Sequence, residues 1–180
     1  MIKVYPSNLL VNNYAGLCIF LLSIALTVPL CAQNQKEIQF PGTDMYLTPP
    51  EHFEMTTNEK GESFLFHPGT NAVIQCITRT DIQWTELQAL YDKDYFIEQS
   101  LNLLMKQDQE LTNGTPATIF ICAANYPDKS EATSTDYKVM IFTGGSNNWT
   151  FFVTARFPEI AADLLTNSIM NTFYSIHRNK

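Results

Sequence analysis

The sequence predicts an α+β domain in which an antiparallel β-sheet is flanked by amphipathic helices. Apolar runs rich in β-branched and aromatic residues, separated by turn signals, occupy residues 45–78 and 117–155. A segment with helical spacing separates these two blocks of strands, and another follows the second block. Because an apolar sheet and amphipathic helices need to cover each other, we expect the helices to pack on the sheet.

The first block contains short predicted strands separated by turns rich in Pro and Gly. These strands cover residues 45–47, 53–56, 63–66 and 72–78. Apolar residues of Ala72–Thr78 fall on both faces of the strand, so we expect it to be central in the sheet.

Two helical pieces are predicted between the blocks. Thr85 can cap a short helix, and Asp92-Lys93-Asp94 breaks or bends it. From Asp94 a pattern of three- and four-residue spacings predicts a longer amphipathic helix that extends to Met105. Its apolar face consists of Phe96, Ile97, Leu101, Leu104 and Met105.

The second block contains the predicted strands of a hairpin, and a predicted final helix follows it. Strands are expected over residues 117–124, 137–142 and 149–155, and the glycines and asparagines of Gly144–Asn148 favour a turn between the last two. Pro158 is expected to open a helix that ends near Ile176. Its apolar stripe consists of Ile160, Leu164, Leu165, Ile169, Phe173 and Ile176.

Residues 1–32 have the layout of a secretory signal peptide. The apolar run Ala15–Val28 is shorter than the roughly 20 residues that a membrane-spanning helix needs. We expect cleavage between Ala32 and Gln33, and therefore a periplasmic or secreted protein. A retained signal anchor and a lipoprotein acylated at Cys31 remain alternatives. If the signal peptide is cleaved, only lipidation of Cys31 would place the mature protein on a membrane.

After cleavage we expect a short polar leader, a single domain and a basic tail, at residues 33–37, 38–177 and 178–180. The net charge of −7 argues against a nucleic-acid partner, because binding to phosphates needs a basic surface. It also argues against electrostatic docking on an anionic membrane.

No catalytic or metal-binding constellation is found in the sequence. His52, His67 and His177 lie outside any spacing typical of a metal site, and no nucleophile elbow is present. Cys76 and Cys122 each lie within an apolar strand, either as buried free thiols or as a disulfide, and the sequence leaves both alternatives open. We therefore expect no enzymatic activity, no metal and no cofactor.

Aromatic side chains that periodicity does not assign to the core are the one indication of a binding surface. These residues are Tyr91, Tyr95, Tyr126, Phe157 and Tyr174. The alternative is that they cover the edges of the core.

Three short motifs resemble those of the PsbP/Mog1-like superfamily, as do the strand at Ala72–Thr78 with the helices after it and the Tyr137–Ala155 hairpin. The motifs are Phe40-Pro41-Gly42-Thr43 with Leu47-Thr48-Pro49-Pro50-Glu51-His52-Phe53, then Asn113-Gly114-Thr115-Pro116-Ala117, and Ala155-Arg156-Phe157-Pro158. The resemblance extends over about residues 38–177 and is strongest to small exported Bacteroidetes-type proteins of unknown function. It implies an α/β/α sandwich and a non-catalytic accessory or binding role, and it carries over no functional residue.

These expectations lead to a hypothesis in which the protein binds an unknown protein partner in the cell envelope. The alternatives are a lipoprotein assembly factor anchored through Cys31 and a domain that binds or hydrolyses a small ligand. A pocket that brings His52 or His67 together with carboxylates would favour the last alternative, and a solid core without pockets would contradict it.

Overall fold

A seven-stranded antiparallel sheet forms the centre of the fold in the computed structural model. Its strands follow the order β3-β4-β5-β9-β8-β7-β6 across the sheet. Their bounds are β3 Glu54–Thr57, β4 Ser63–His67, β5 Ala72–Arg79, β6 Asn102–Glu110, β7 Pro116–Pro127, β8 Ser134–Ser146 and β9 Trp149–Pro158.

The structure describes residues 36–59, 61–127, 134–146 and 149–178. They belong to one compact unit, Gln35–Lys180. The predicted signal peptide, its cleavage site between Ala32 and Gln33, and Cys31 lie outside the described residues.

Helices cover both faces of the large sheet and confirm the α/β/α sandwich. On the first face, a 3-10 turn at Glu159–Ala161 leads into helix α3, Ala162–Tyr174, whose apolar side packs against the largest buried cluster. On the second face, helices α1, Trp84–Leu90, and α2, Lys93–Glu98, pack with a smaller cluster around Phe120. The domain therefore has three layers, in which the sheet lies between two layers of helices and a separate apolar cluster fills the space on each face.

A second, three-stranded sheet joins the two ends of the described domain. Its order is β1-β2-β10, with β1 Ile38–Gln39, β2 Met45–Leu47 and β10 His177–Arg178. His177 Nε2 lies 3.3 Å from Glu37 Oε1, and Arg178 pairs with Asp44. The Arg178 guanidinium also lies 4.3 Å from the ring centroid of Trp149. Arg178, which the sequence assigns to a tail, is therefore part of a paired strand.

The predicted long helix through Met105 is wrong in its second half. Helix α2 ends at Glu98, Ser100 adopts a positive φ of 58°, and the chain then enters β6. The spacing of apolar residues up to Met105 does suit a helix. Pairing of β6 with β7 provides hydrogen-bond partners for the backbone of this segment, however, and this tertiary pairing overrides the local pattern. The break at Asp92 is confirmed, because its carboxylate caps α2 by accepting a hydrogen bond from Tyr95 N at 2.8 Å.

Part of the stripe predicted for the final helix is also wrong. Leu165, Ile169 and Phe173 are buried as predicted, but Ile160 is 97% exposed and Leu164 is 68% exposed. The α-helix begins at Ala162, so Ile160 lies in the preceding 3-10 turn and is out of phase with the buried face.

The predicted hairpin turn is shorter than Gly144–Asn148. Gly144 and Gly145 are strand residues of β8, and Ser146 pairs with Trp149 of β9. Asn147 and Asn148 lie outside the described residues.

Strand β5 occupies an interior position between β4 and β9, as its apolar sequence predicted. Only one of its faces is fully covered, however. Ile74 and Cys76 are buried, whereas Ile77 on the opposite face is 45% exposed. The second sheet face therefore retains apolar side chains that the helices do not cover.

Candidate functional site

An open groove lies on the second face of the sheet, beside helices α1 and α2, with a volume of about 410 Å³. We call it the aromatic groove. Its main lining residues are Ile77, Tyr91, Tyr95, Tyr126, Ile141 and Phe152. Ile77 and Phe152 lie opposite each other on β5 and β9, so strand alternation points both side chains to this face.

The junction between α1 and α2 forms the wall of the aromatic groove. The Asp92 cap fixes the first turn of α2 and so places Tyr95 against Tyr91, with ring centroids 4.9 Å apart. The Tyr91 ring also packs against Phe120 in the core, with ring centroids 5.1 Å apart. Burial of Tyr91 raises the pKa of its hydroxyl. The wall is therefore an edge of the smaller core, in which Tyr91 is buried and Tyr95 is half-buried.

Two arginines lie around the aromatic groove. Arg79 lines it and donates hydrogen bonds of 2.7 and 2.5 Å to Asp81, which lower the pKa of that carboxyl to about 2. Arg156 holds its guanidinium 5.5 Å from the ring centroid of Tyr126 and 5.7 Å from that of Tyr137. An apolar floor with stacked arginine at its border is typical of surfaces that bind other molecules.

The aromatic residues singled out from the sequence divide into three kinds. Tyr91, Tyr95 and Tyr126 line the aromatic groove. Phe157 is a fully buried core residue, and Tyr174 is 49% exposed on α3. The sequence did not indicate the sheet residues of the floor, because the apolar residues on both faces of 72–78 do not show which of them a helix leaves uncovered.

The histidines do not form part of the aromatic groove. His52 and His67 lie close together, with ring centroids 6.2 Å apart, and His67 packs on Phe53 at 5.3 Å. His67 Nδ1 lies 3.0 Å from the Thr70 hydroxyl. Within the described part of the chain, no three His, Cys, Asp or Glu side chains gather in a way that could hold a metal ion.

Cys76 and Cys122 are free thiols on opposite faces of the sheet. Cys76 belongs to the cluster under α3, and Cys122 belongs to the cluster under α1 and α2. Strands β9 and β8 also lie between β5 and β7, whereas a disulfide needs Cα atoms about 4.4–6.8 Å apart. The disulfide alternative is therefore not realised in this structure.

Burial raises the pKa of both thiols, to about 12 for Cys76 and about 11 for Cys122. In the native protein at pH 8 we expect neither residue to be alkylated by iodoacetamide, because the thiolate is the reacting form. In denaturant both should react completely, as peptide mass mapping would measure. Rapid native alkylation of either cysteine would contradict the burial described here.

The described helices include none that is long and apolar enough to cross a membrane. No family model matches the sequence, and no curated protein is similar to it at a significant level.

The order of strands and the helices on both faces define an α+β protein of the PsbP/Mog1-like fold. Solved structures with this likeness include a Bacteroides thetaiotaomicron protein, with a TM-score of 0.52 and 14% identity, which covers 81% of this chain. The chain spans about half of that protein, 48% of its length.

Two further structures are similar over most of their own length. LpqN of Mycobacterium tuberculosis, described as involved in cell envelope biogenesis, has a TM-score of 0.52 and 9% identity, with 81% of this chain and 90% of LpqN covered. Cyanobacterial PsbP (CyanoP) of Synechocystis has a TM-score of 0.50 and 6% identity, with coverages of 80% and 92%. The fold resemblance stated from the sequence is confirmed.

Proposed function

We propose that the protein is an exported, non-catalytic binding protein of the cell envelope, and that the aromatic groove holds a segment of a protein partner. The observation that carries this proposal is a partly uncovered apolar floor, Ile77 and Phe152, next to a rigid tyrosine wall. The predicted signal peptide and the cell-envelope role described for LpqN support the compartment.

The shape and lining of the aromatic groove favour a protein partner over a small molecule. A small-molecule site usually encloses most of its ligand, whereas this groove is open to solvent. Tyrosine and arginine are, with tryptophan, enriched among the residues that contribute most to protein interfaces, since they combine a large contact area with polar groups. A partner segment with an apolar side chain next to a carboxylate fits, because Arg156 could bind the carboxylate while the floor receives the apolar group.

Two observations support a non-catalytic role. Cys76 and Cys122, which would be the strongest nucleophiles of the described domain, are buried with pKa values raised to about 12 and about 11. The neighbouring histidines, His52 and His67, lie outside the aromatic groove and so do not bring acid–base groups to it. The proposal is the same whether the mature protein begins at Gln33 or is lipid-anchored at Cys31.

Site-specific photo-crosslinking in the producing cells tests this proposal. We expect benzoylphenylalanine at Tyr126, in the aromatic groove, to give one discrete adduct that mass spectrometry identifies as an envelope protein. The same probe at Tyr174 is the matched control, because Tyr174 is also exposed but lies on the opposite helix layer.

The purified partner then allows a quantitative test. Tyr95→Ala should weaken its binding about tenfold or more, as expected for an aromatic residue at the centre of an interface. Tyr174→Ala should leave binding unchanged. Adducts that are identical at both positions, or a Tyr95→Ala variant with unaltered affinity, would contradict the groove as the binding site.

A further inference from the structure

We propose that the edge strand β6 pairs with β6 of a second copy of this chain, in an antiparallel two-fold arrangement centred on Gln107. This dimer would join two large sheets into one continuous sheet. The inference is independent of the aromatic groove and of its partner.

Strand β6 is the longer of the two edges of the large sheet. It contains 9 residues, whereas β3 at the other edge contains 4. Only β7 pairs with it, and no hydrogen bond joins its outward backbone groups to another part of the described chain. A long unpaired edge offers backbone donors and acceptors to another strand.

The side chains of β6 are also uncovered. Leu104 is 58% exposed and Met105 is 36% exposed. A register irregularity lies between Leu103 and Met105, so the regular part of the edge begins at Met105 and extends to Glu110. This part is long enough for pairing with a second strand.

The charges of this segment are self-complementary in one register. Two-fold symmetry requires an antiparallel strand pair to be centred on a residue that faces its own copy. With Gln107 at the centre, Lys106 lies opposite Asp108 of the partner subunit, and Asp108 lies opposite Lys106 of the partner subunit. Lys106 and Asp108 pair with Phe120 and Thr118 of β7, so both point to the same face and the opposite charges meet.

Neighbouring registers lack this complementarity. Centring on Lys106 places two lysines opposite each other, and centring on Asp108 places two aspartates opposite each other. Like charges directly opposite destabilise a strand pair, which selects Gln107 as the centre. The same arrangement keeps the second faces of both sheets, with α1 and α2, on one side of the dimer.

Charge exchange within β6 tests the proposal in sedimentation velocity experiments on the protein purified from producing cells. We expect the wild type to form a concentration-dependent dimer. Lys106→Asp and Asp108→Lys should each raise the dissociation constant about ten- to hundredfold, because each replaces two attractive pairs with two repulsive ones. The double exchange Lys106→Asp with Asp108→Lys should restore the dimer to within about threefold of wild type.

Two further variants separate the interface from effects on folding. Gln107→Lys should also weaken the dimer, and it leaves intact the contacts of Lys106 with Phe120 and of Asp108 with Thr118. Glu110→Lys is the control, because Glu110 lies beyond the residues Met105–Gln109 that pair regularly in the proposed register, but opposite Lys106 in the register centred on Asp108. Three results would overturn the proposal. The wild type could remain a monomer at all concentrations up to about 1 mM, or the double variant could dimerise as weakly as the single variants. A strong effect of Glu110→Lys on dimerisation would also overturn it.

Discussion

Phe142→Ala is expected to lower the free energy of unfolding by about 3–5 kcal/mol, the largest effect of any single change considered for this domain. Phe142 is fully buried on β8 and stacks on Phe173 of α3, with centroids 5.3 Å apart. Its ring also makes a T-shaped contact with that of Phe151, with centroids 5.3 Å apart. Truncation leaves a cavity where the first helix layer meets the sheet, and small domains have only about 5–15 kcal/mol of total stability.

Urea denaturation followed by circular dichroism would measure this loss. Leu164→Ala is the matched control on the same helix layer, because Leu164 is 68% exposed and should cost less than about 0.5 kcal/mol. Equal losses for the two variants would contradict the packing of α3, and would instead favour the broader apolar stripe predicted from the sequence.

Gly144→Ala should destabilise the domain by about 1–3 kcal/mol, because it introduces a methyl group where β7 and β8 approach closely. A Cβ atom at Gly144 would lie 2.5 Å from the Pro116 carbonyl oxygen and 2.7 Å from Ala117 Cβ. The carbonyl is backbone and cannot rotate away, so the two strands would have to separate at this point.

Gly69→Ala provides the comparison for Gly144→Ala. Its added Cβ would lie 3.2 Å from Cε1 of His67, a side-chain atom that can move, and the residue is exposed. We expect a change within about 0.5 kcal/mol in the same denaturation experiment. A Gly144→Ala variant as stable as Gly69→Ala would show that β7 and β8 accommodate the methyl group without strain.

The sequence predicted those elements in which local pattern and tertiary packing agree. β5 lies inside the sheet as its apolar sequence predicted, and Leu165, Ile169 and Phe173 of α3 are buried at their expected spacing, because both elements pack into the largest apolar cluster. The first four residues of β6, Asn102–Met105, were assigned to a helix because Leu104 and Met105 fit a three- and four-residue spacing, while pairing with β7 decides their conformation. Gly144 suggested a turn, whereas its role is to allow close approach of two strands.

The candidate site could be predicted only in part. Tyr91, Tyr95 and Tyr126 were recognised because they did not fit a core periodicity, and all three line the aromatic groove. Ile77 and Phe152 were not recognised, since an apolar strand residue gives no indication of whether a helix covers it. Their exposure depends on where α1 and α2 end on the sheet, which is a tertiary property.

The pairing of β2 with β10 also has a consequence for the order of folding. Tyr46 pairs with His177, so the small sheet joins segments that lie far apart along the chain. Closing such a large loop is entropically costly until the intervening sheet has folded and brought the ends together. We therefore expect the small sheet to close after the central domain has folded, with the contacts of Arg178 with Asp44 and Trp149 forming late.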